Sequence, residues 1–479
     1  MKLRDIIKNQ DAAIFGDENV EVCGLSHQSD KVNIGDMFFC LKGKKDGHDF
    51  ALDAVKNGAQ VIVSEKRLNL PNGVQNVVTG NCRKLMALCA CNFYNNPANQ
   101  MTIIAVTGTN GKTTSCYMID SIFRAAGYNT GVIGTNGIFI NGEHFESNMT
   151  TPDPIELQKN LAKMLSQGVN VVIMEMSAHA LFYQKNRGLM CDIVVFTNLT
   201  EDHLDFFLNM KDYGEAKKRL FTKDSAKFAV INLDDSFANN IIESIDIPYI
   251  TISQNKESDI KIQDLECLRK GQDFTFIDGN NKCRVHINLD GKFNVSNALG
   301  AIAVAKLCAI CNSNIAKGLA NLKTVPGRFN TLLHGGRKFI VDYAHTPDGL
   351  KNILKATREL LNGKGKLISV FGCGGNRDTL KRPIMGSIST SLADVTIITS
   401  DNPRLENPEE IIKQIETGVK KDSVYIIEKD REKAIEFAYN IATIDDIIVV
   451  SGKGAENYID IGGQKIDYLD AKVIEKLKE

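Results

Sequence analysis

At 479 residues the chain is longer than one hydrophobic core can serve, and roughly 100–200 residues per domain leads to three domains. A composition of 43% hydrophobic and 24% charged residues is globular and excludes a disordered or fibrous chain. The formal charge of -1 excludes a global attraction to nucleic acid or to an anionic membrane.

From the amino end, MKLRDIIKNQDAAIFGDENV mixes charge and apolarity without a signal-peptide core, and no later run reaches the ~20 apolar residues of a membrane span, so a cytoplasmic protein is expected. Residues 1–98 hold short apolar runs (Met37–Leu41, Val61–Val63) and a helical stretch at Ala51–Asn57, which predict a small α/β domain. Polar Asn95–Gln100, with Pro97, marks a boundary near residue 98.

Beyond it, apolar Met101–Val106, Val169–Met174, Cys191–Phe196 and Phe228–Ile231 alternate with amphipathic segments, which predicts a doubly wound, largely parallel sheet over 99–326. A second series begins at 327: Phe339–Val341, Leu367–Phe371, Val395–Thr399, Val424–Ile427 and Ile447–Val450 predict a Rossmann-like domain to residue 479. Twelve cysteines are scattered through these elements. Most read as reduced, buried small hydrophobes, and the close pairs Cys89/Cys91 and Cys308/Cys311 lack a second pair at zinc-site spacing, so core packing is expected.

The strand Met101–Val106 runs into Thr107-Gly108-Thr109-Asn110-Gly111-Lys112-Thr113-Thr114 and then a helix to about Ala126. Glycines let backbone N–H groups turn onto a polyphosphate, the helix N-terminus adds positive partial charge, Lys112 reaches the terminal phosphates, and Thr113 or Thr114 can hold magnesium. A nucleoside triphosphate site is the firmest local expectation.

TGTNGKTT resembles the ATP-binding motif of the Mur ligases and of the related folylpolyglutamate synthases, and further segments follow in the family's order. They are Thr150-Thr151-Pro152-Asp153, Glu175–Leu181, Thr197–Asp205, Tyr213–Lys217, Gly291–Ala298, Val325–Arg328 and Val341–Asp348. Phe371–Asp378, Lys381-Arg382-Pro383 and Asp401-Asn402-Pro403-Arg404 resemble the subgroup that adds the third residue of the peptidoglycan stem peptide. The resemblance implies an ATP- and Mg²⁺-dependent ligase that joins meso-diaminopimelate to UDP-N-acetylmuramoyl-L-alanyl-D-glutamate through an acyl phosphate, acting as a monomer on small molecules.

Carried over residue by residue, it places Glu175 and Thr113 on the nucleotide magnesium, and His203 with a carbamylated Lys217 on a second ion. A protonated lysine repels Mg²⁺, whereas a carbamate is a hard oxygen ligand. Thr150, Thr151, Ser177 and Lys185 fall where the family binds the UDP-muramoyl dipeptide, with Lys185 in the place of the usual Arg. Ser29 lies in a segment similar to the uridine-sugar motif, with Asp30 in the place of an Arg. Asn294, Arg328 and Asp342 fall at family ATP contacts.

Arg377 and Arg404 can each clamp a carboxylate bidentately. By resemblance they form the diaminopimelate pocket with Asp401, Asn402, Pro403, Gly452 and Glu456, Arg404 being the residue that discriminates against lysine. Ala455 replaces the usual His of that last motif. Lysine as the amine, or folate as the acceptor, are the alternative substrates.

Overall fold

The computed structural model describes residues 1–43, 45–147, 149–203, 206–268, 271–361 and 363–478. Leu204 and Asp205, the end of the TNLTEDHLD segment, lie outside the described residues. The chain forms two compact units, one of residues 1–108, 123–199 and 205–251 and the other of 109–122, 200–204 and 252–479.

The first unit holds two sheets. Ala13–Phe15, Gln75–Val78, Val61–Ser64, Asp36–Phe39 and Gly24–Ser26 lie side by side in that order, antiparallel at the first pair and parallel thereafter. The helix Cys82–Phe93 packs beneath, burying Leu85, Met86 and Cys89 against Met37, Phe39, Val61 and Val63.

In the second sheet Thr102–Thr107 is central, with parallel Val171–Glu175 on one side and Cys191–Phe196 on the other. Thr130–Gly134 and Ala226–Asn232 extend it, also parallel. These strands are apolar along their length because helices cover both faces, so side chains of either parity are buried. The short antiparallel strands Gly137–Ile140 and Glu143–Phe145 add an edge.

The second unit contains the antiparallel strands Ile260–Cys267, Gln272–Asp278 and Asn281–Ile287. It also contains a six-stranded sheet in the order Asn330–His334, Arg337–Asp342, Ile447–Ser451, Leu367–Phe371, Val395–Ile398, Tyr425–Ile427. Only its first pair is antiparallel, and the helices Pro347–Leu361, Lys381–Leu392, Pro408–Glu416 and Arg431–Ile441 alternate with the parallel strands. A bidentate ion pair of Arg431 with Asp470, both bonds 2.8 Å, ties in the last helix. A separate hairpin pairs Tyr458–Ile461 with Gln464–Asp467.

The mixed α/β class is the expected one, and the strands that were predicted start and stop within two residues of their predicted ends. The cysteines divide. Cys40, Cys82, Cys91, Cys191 and Cys373 are buried thiols whose pKa burial pushes up to about 12. Cys311 is exposed, because it caps the N-terminus of the helix Asn312–Asn321, and so departs from the core-packing expectation. Among the described residues no helix is long and apolar enough to cross a membrane.

Candidate active site

In the first unit the predicted residues gather at the carboxyl ends of the parallel strands, where open α/β sheets bind ligands. Glu175, the last residue of its strand, is 1% exposed. Its Oε1 accepts from the Thr135 N–H at 2.8 Å and its Oε2 from the Thr135 hydroxyl at 3.1 Å. Thr135, which sequence reasoning passed over, thus supplies two neutral donors to this buried carboxylate.

The Thr135 hydroxyl also meets that of Thr150 at 3.1 Å. The Thr151 hydroxyl donates to the Glu175 carbonyl at 2.9 Å and accepts from the Ser177 N–H at 3.1 Å, so Thr150, Thr151, Glu175 and Ser177 form one hydrogen-bonded group. Ser177 caps the short helix Ala178–Phe182. Lys185 reaches the Asp153 carboxylate at 2.9 Å and the Thr151 carbonyl at 3.3 Å. Asp153 also draws in His27, at 3.6 Å, whose pKa is lowered by burial. The segment holding Ser29, whose carbonyl accepts from Asn57 at 2.8 Å, is thereby brought to the Thr151–Lys185 group.

Lys217 lies on the helix Met210–Lys218, started by the Asn209 side chain, which accepts from the Asp212 N–H. It is 1% exposed, four residues on from buried Tyr213 and over its ring at 4.3 Å. Its ammonium donates to the Gly108 carbonyl at 2.8 Å, which joins it to the start of the phosphate loop. A Cβ on Gly108 would stand 1.9 Å from the Thr197 hydroxyl, so the loop needs glycine there.

The remainder of the loop belongs to the second unit. Lys112 opens the helix Lys112–Ala125 and donates to the Thr109 carbonyl at 2.8 Å, while Thr113 and Thr114 are buried in its first turn. Thr109 exchanges hydrogen bonds with Thr200, at 3.0 and 3.2 Å, and Asn110 donates to the Thr200 hydroxyl at 3.2 Å. That hydroxyl donates in turn to Asp348 at 3.1 Å. Behind the loop, Asn297 reaches Ser115 at 3.4 Å and donates to Asn294 at 3.0 Å, and Asn294 donates to the Asp290 carbonyl at 2.7 Å. Asn294 is 2% exposed, so it braces the loop from inside the fold.

His203 is exposed and held at φ 56 beside Asp202, 3.4 Å from its ring. Arg328 stacks over Tyr343 at 5.1 Å, and Asp342 accepts from the Phe329 and Ala344 N–H groups at 2.7 and 2.8 Å.

The last sheet carries a further cluster at the carboxyl ends of its strands. Asp401 and Asn402 are 5% and 4% exposed. Asn402 donates to Glu456 at 2.8 Å and accepts from Lys453 at 3.0 Å. A Cβ on Gly452, at φ +115, would meet Asp401 at 2.4 Å. Arg404, at φ 52, donates to the Gly375 carbonyl at 2.7 Å, and the Gly375 N–H donates to the Asn402 carbonyl at 2.9 Å, so Pro403 and Arg404 are bound to the turn that bears exposed Arg377. Arg382, 0% exposed, locks the two loops through Glu406 at 2.9 Å and the Gly374 carbonyl at 3.1 Å. Lys453 and Arg382 were not singled out as site residues from the sequence.

Among the described residues no three His, Cys, Asp or Glu side chains converge as metal ligands. Magnesium does not require such a cage, since it takes one or two side-chain oxygens and completes its shell with phosphate and water. The buried Glu175 carboxylate in the first unit and the Thr113 hydroxyl in the second are each, taken separately, oxygen donors of that kind.

A phosphate loop at the end of one parallel sheet and a polar cluster at the end of a second describe a nucleotide-binding α/β enzyme, and the family matches make it a ligase. Residues 21–89 match the model described as Mur ligase family, catalytic domain, residues 106–305 the Mur ligase middle domain, and residues 327–454 the Mur ligase, glutamate ligase domain. The chain belongs to the Mur ligase family.

It is 43% identical over 487 residues, covering 100% of both chains, to UDP-N-acetylmuramoyl-L-alanyl-D-glutamate--2,6-diaminopimelate ligase 1 of Clostridium acetobutylicum. The similarly named ligase of Clostridium botulinum is 40% identical over 484 residues, covering 100% of this chain and 99% of that one. A solved structure of a UDP-N-acetylmuramoyl-L-alanyl-D-glutamate--2,6-diaminopimelate ligase superposes with a TM-score of 0.72 at 32% identity, covering 99% of this chain and 98% of that one.

Proposed function

We propose that this ligase adds meso-2,6-diaminopimelate to the D-glutamate of UDP-N-acetylmuramoyl-L-alanyl-D-glutamate, with ATP, as a cytoplasmic monomer in peptidoglycan precursor synthesis. Residues 1–98 bind the uridine-linked sugar through Ser29, 99–326 hold ATP and the reacting carboxylate, and 327–479 hold the amine. The observation that carries the choice of amine is that one loop ties down both a carboxylate and an arginine: Asn402 donates to Glu456 at 2.8 Å, and the Arg404 guanidinium donates at 2.7 Å to the carbonyl of Gly375, whose N–H donates to the Asn402 carbonyl. The distal end of diaminopimelate bears both an ammonium and a carboxylate, whereas that of lysine bears only an ammonium.

A carboxylate does not acylate an amine at neutral pH. Transfer of the γ-phosphoryl group of ATP to the D-glutamate carboxylate gives an acyl phosphate and ADP; the amine then attacks the acyl carbon and expels inorganic phosphate. Backbone N–H groups of Gly108, Thr109, Asn110 and Gly111 cradle the phosphates, Lys112 balances charge on the transferring group, and Thr114 supports the turn. Asn294, Arg328 and Asp342 form the nucleotide's surroundings.

Thr150, Thr151, Ser177 and Lys185 hold the dipeptide carboxylates, and Arg377, Arg404, Asp401, Asn402, Pro403, Gly452 and Glu456 orient the amine. Thr113, Glu175, His203 and a carbamylated Lys217 are the residues that would hold magnesium, which would supply positive charge to neutralise the phosphates.

The test combines purified protein, ATP, Mg²⁺ and the UDP-muramoyl dipeptide with either amine, reading phosphate release and product mass. Tripeptide formed with diaminopimelate is expected; a preference for lysine, or no product with either amine, overturns the reading.

A further inference from the structure

Lys453 follows the strand Ile447–Ser451 and is 0% exposed. Its ammonium donates to Asn402 Oδ1 at 3.0 Å and to Glu456 Oε2 at 3.2 Å, lies 3.9 Å from Asp401, and is flanked by the rings of Tyr458 and Tyr468 at 5.6 and 5.9 Å. A buried ammonium is tolerated when its donors are met, and here two hydrogen bonds, a further carboxylate and two ring faces meet them.

The same contacts fix the orientation of Asn402. Its Oδ1 also accepts from the Asp460 N–H at 2.9 Å, so its amide nitrogen is the end that donates to Glu456 Oε2, at 2.8 Å. Glu456 Oε2 therefore takes a donor from Lys453 and one from Asn402, while Oε1 takes part in no hydrogen bond among the described residues and the side chain is 22% exposed. Two carboxylates and one resident ammonium leave a net charge that a single incoming ammonium would cancel.

We propose that Lys453 is a positioning residue for amine selectivity: by holding Glu456 Oε2 and Asn402, it presents Glu456 Oε1 to the distal ammonium of the amine substrate. This rests on the diaminopimelate reading above and deepens it. Without the lysine donor, Glu456 Oε2 keeps only the Asn402 hydrogen bond and the carboxylate turns toward water, so the oxygen offered to the substrate is lost.

The test measures KM for diaminopimelate, ATP and the UDP-muramoyl dipeptide in the full chain, in its Lys453→Met and Glu456→Gln variants, and in the double variant. Lys453→Met is expected to raise the diaminopimelate KM on the order of tenfold, the scale of one charge-assisted hydrogen bond, with the other two KM values within about twofold. In the Glu456→Gln background it should add less than about twofold, since the two side chains act through one contact.

If the single variant fails to fold, the double variant, in which the carboxylate that Lys453 bonds is also neutralised, carries the comparison with Glu456→Gln alone. An unchanged diaminopimelate KM, a parallel rise in all three values, or a full additional increase in the double variant overturns the proposal. An unsubstituted enzyme that makes no diaminopimelate product overturns the functional reading instead.

Discussion

Gly375 offers a direct measure of how tightly the amine loop must be held. A Cβ placed there would stand 2.0 Å from the Pro403 carbonyl oxygen and 2.8 Å from its carbon. Separations under 3.0 Å are essentially never adopted by real side chains, so in Gly375→Ala the Pro403 carbonyl has to retreat. The retreat is about 1 Å, and it drags the flanking Asn402 and Arg404 with it. A misplacement of that size costs roughly a hundredfold in rate, or about 2.7 kcal/mol of transition-state stabilisation.

The assay is initial-rate phosphate release against diaminopimelate concentration, with a melting curve to show that the variant is folded. The expected result is a fall of about a hundredfold in kcat/KM for the amine, with ATP affinity kept. A folded variant whose amine kcat/KM stays within about threefold of the parent would refute the argument that this backbone fixes the amine.

Gly111 sits at φ +84, and its Cβ would meet Asn297 Oδ1 at 2.2 Å, so Gly111→Ala should weaken binding of a non-hydrolysable ATP analogue by at least about tenfold in calorimetry; unchanged affinity would count against the loop's role. Arg382 beside Glu406 holds that carboxyl below its ordinary value of 4.5, with help from the Asn376 N–H. A depressed acid stabilises the fold above its unfolded pKa and loses that contribution as pH falls through the folded value. Glu406→Gln should therefore cost about 1.5–3 kcal/mol at pH 7 and progressively less below about pH 4.5, read by thermal melts across that range; a pH-independent difference would contradict the linkage. Lys217→Ala should abolish ligation and remove a labelled carbamate carbon seen by NMR after exposure to ¹³C-enriched CO₂; an unlabelled parent enzyme would eliminate the carbamate.

Cys191–Phe196 and Leu367–Phe371 begin and end where their composition places them, because strands buried on both faces of a parallel sheet are uninterrupted apolar runs. Ile260–Cys267, reading IKIQDLEC, was passed over for the opposite reason: a half-exposed strand dilutes its apolar residues with polar ones, and only a search for alternation would find it. The glycines and lysine of the phosphate loop were legible because their order is set by local backbone geometry. Burial of Lys217 was not, although its spacing of four from Tyr213 places both on one helix face. Lys453 was quoted only as part of a motif, since a lysine between two glycines looks solvated until Tyr458 of a later hairpin and Tyr468 just beyond it are folded over it.

That hairpin, Tyr458–Ile461 with Gln464–Asp467, also grips Arg404 by its backbone: the Arg404 N–H donates to the Asp460 carbonyl at 2.9 Å, and the Arg404 carbonyl accepts from Gly462 at 2.7 Å. Arginine has no intrinsic liking for φ 52, so the hairpin, not the residue, sets the direction in which position 404 points. On the proposed reading, amine preference in this scaffold would be a property of a transplantable cassette. Exchanging the side chain at 404 alone would change the tool and leave the handle where it was, whereas grafting the hairpin together with the loop it grips would carry the aim across.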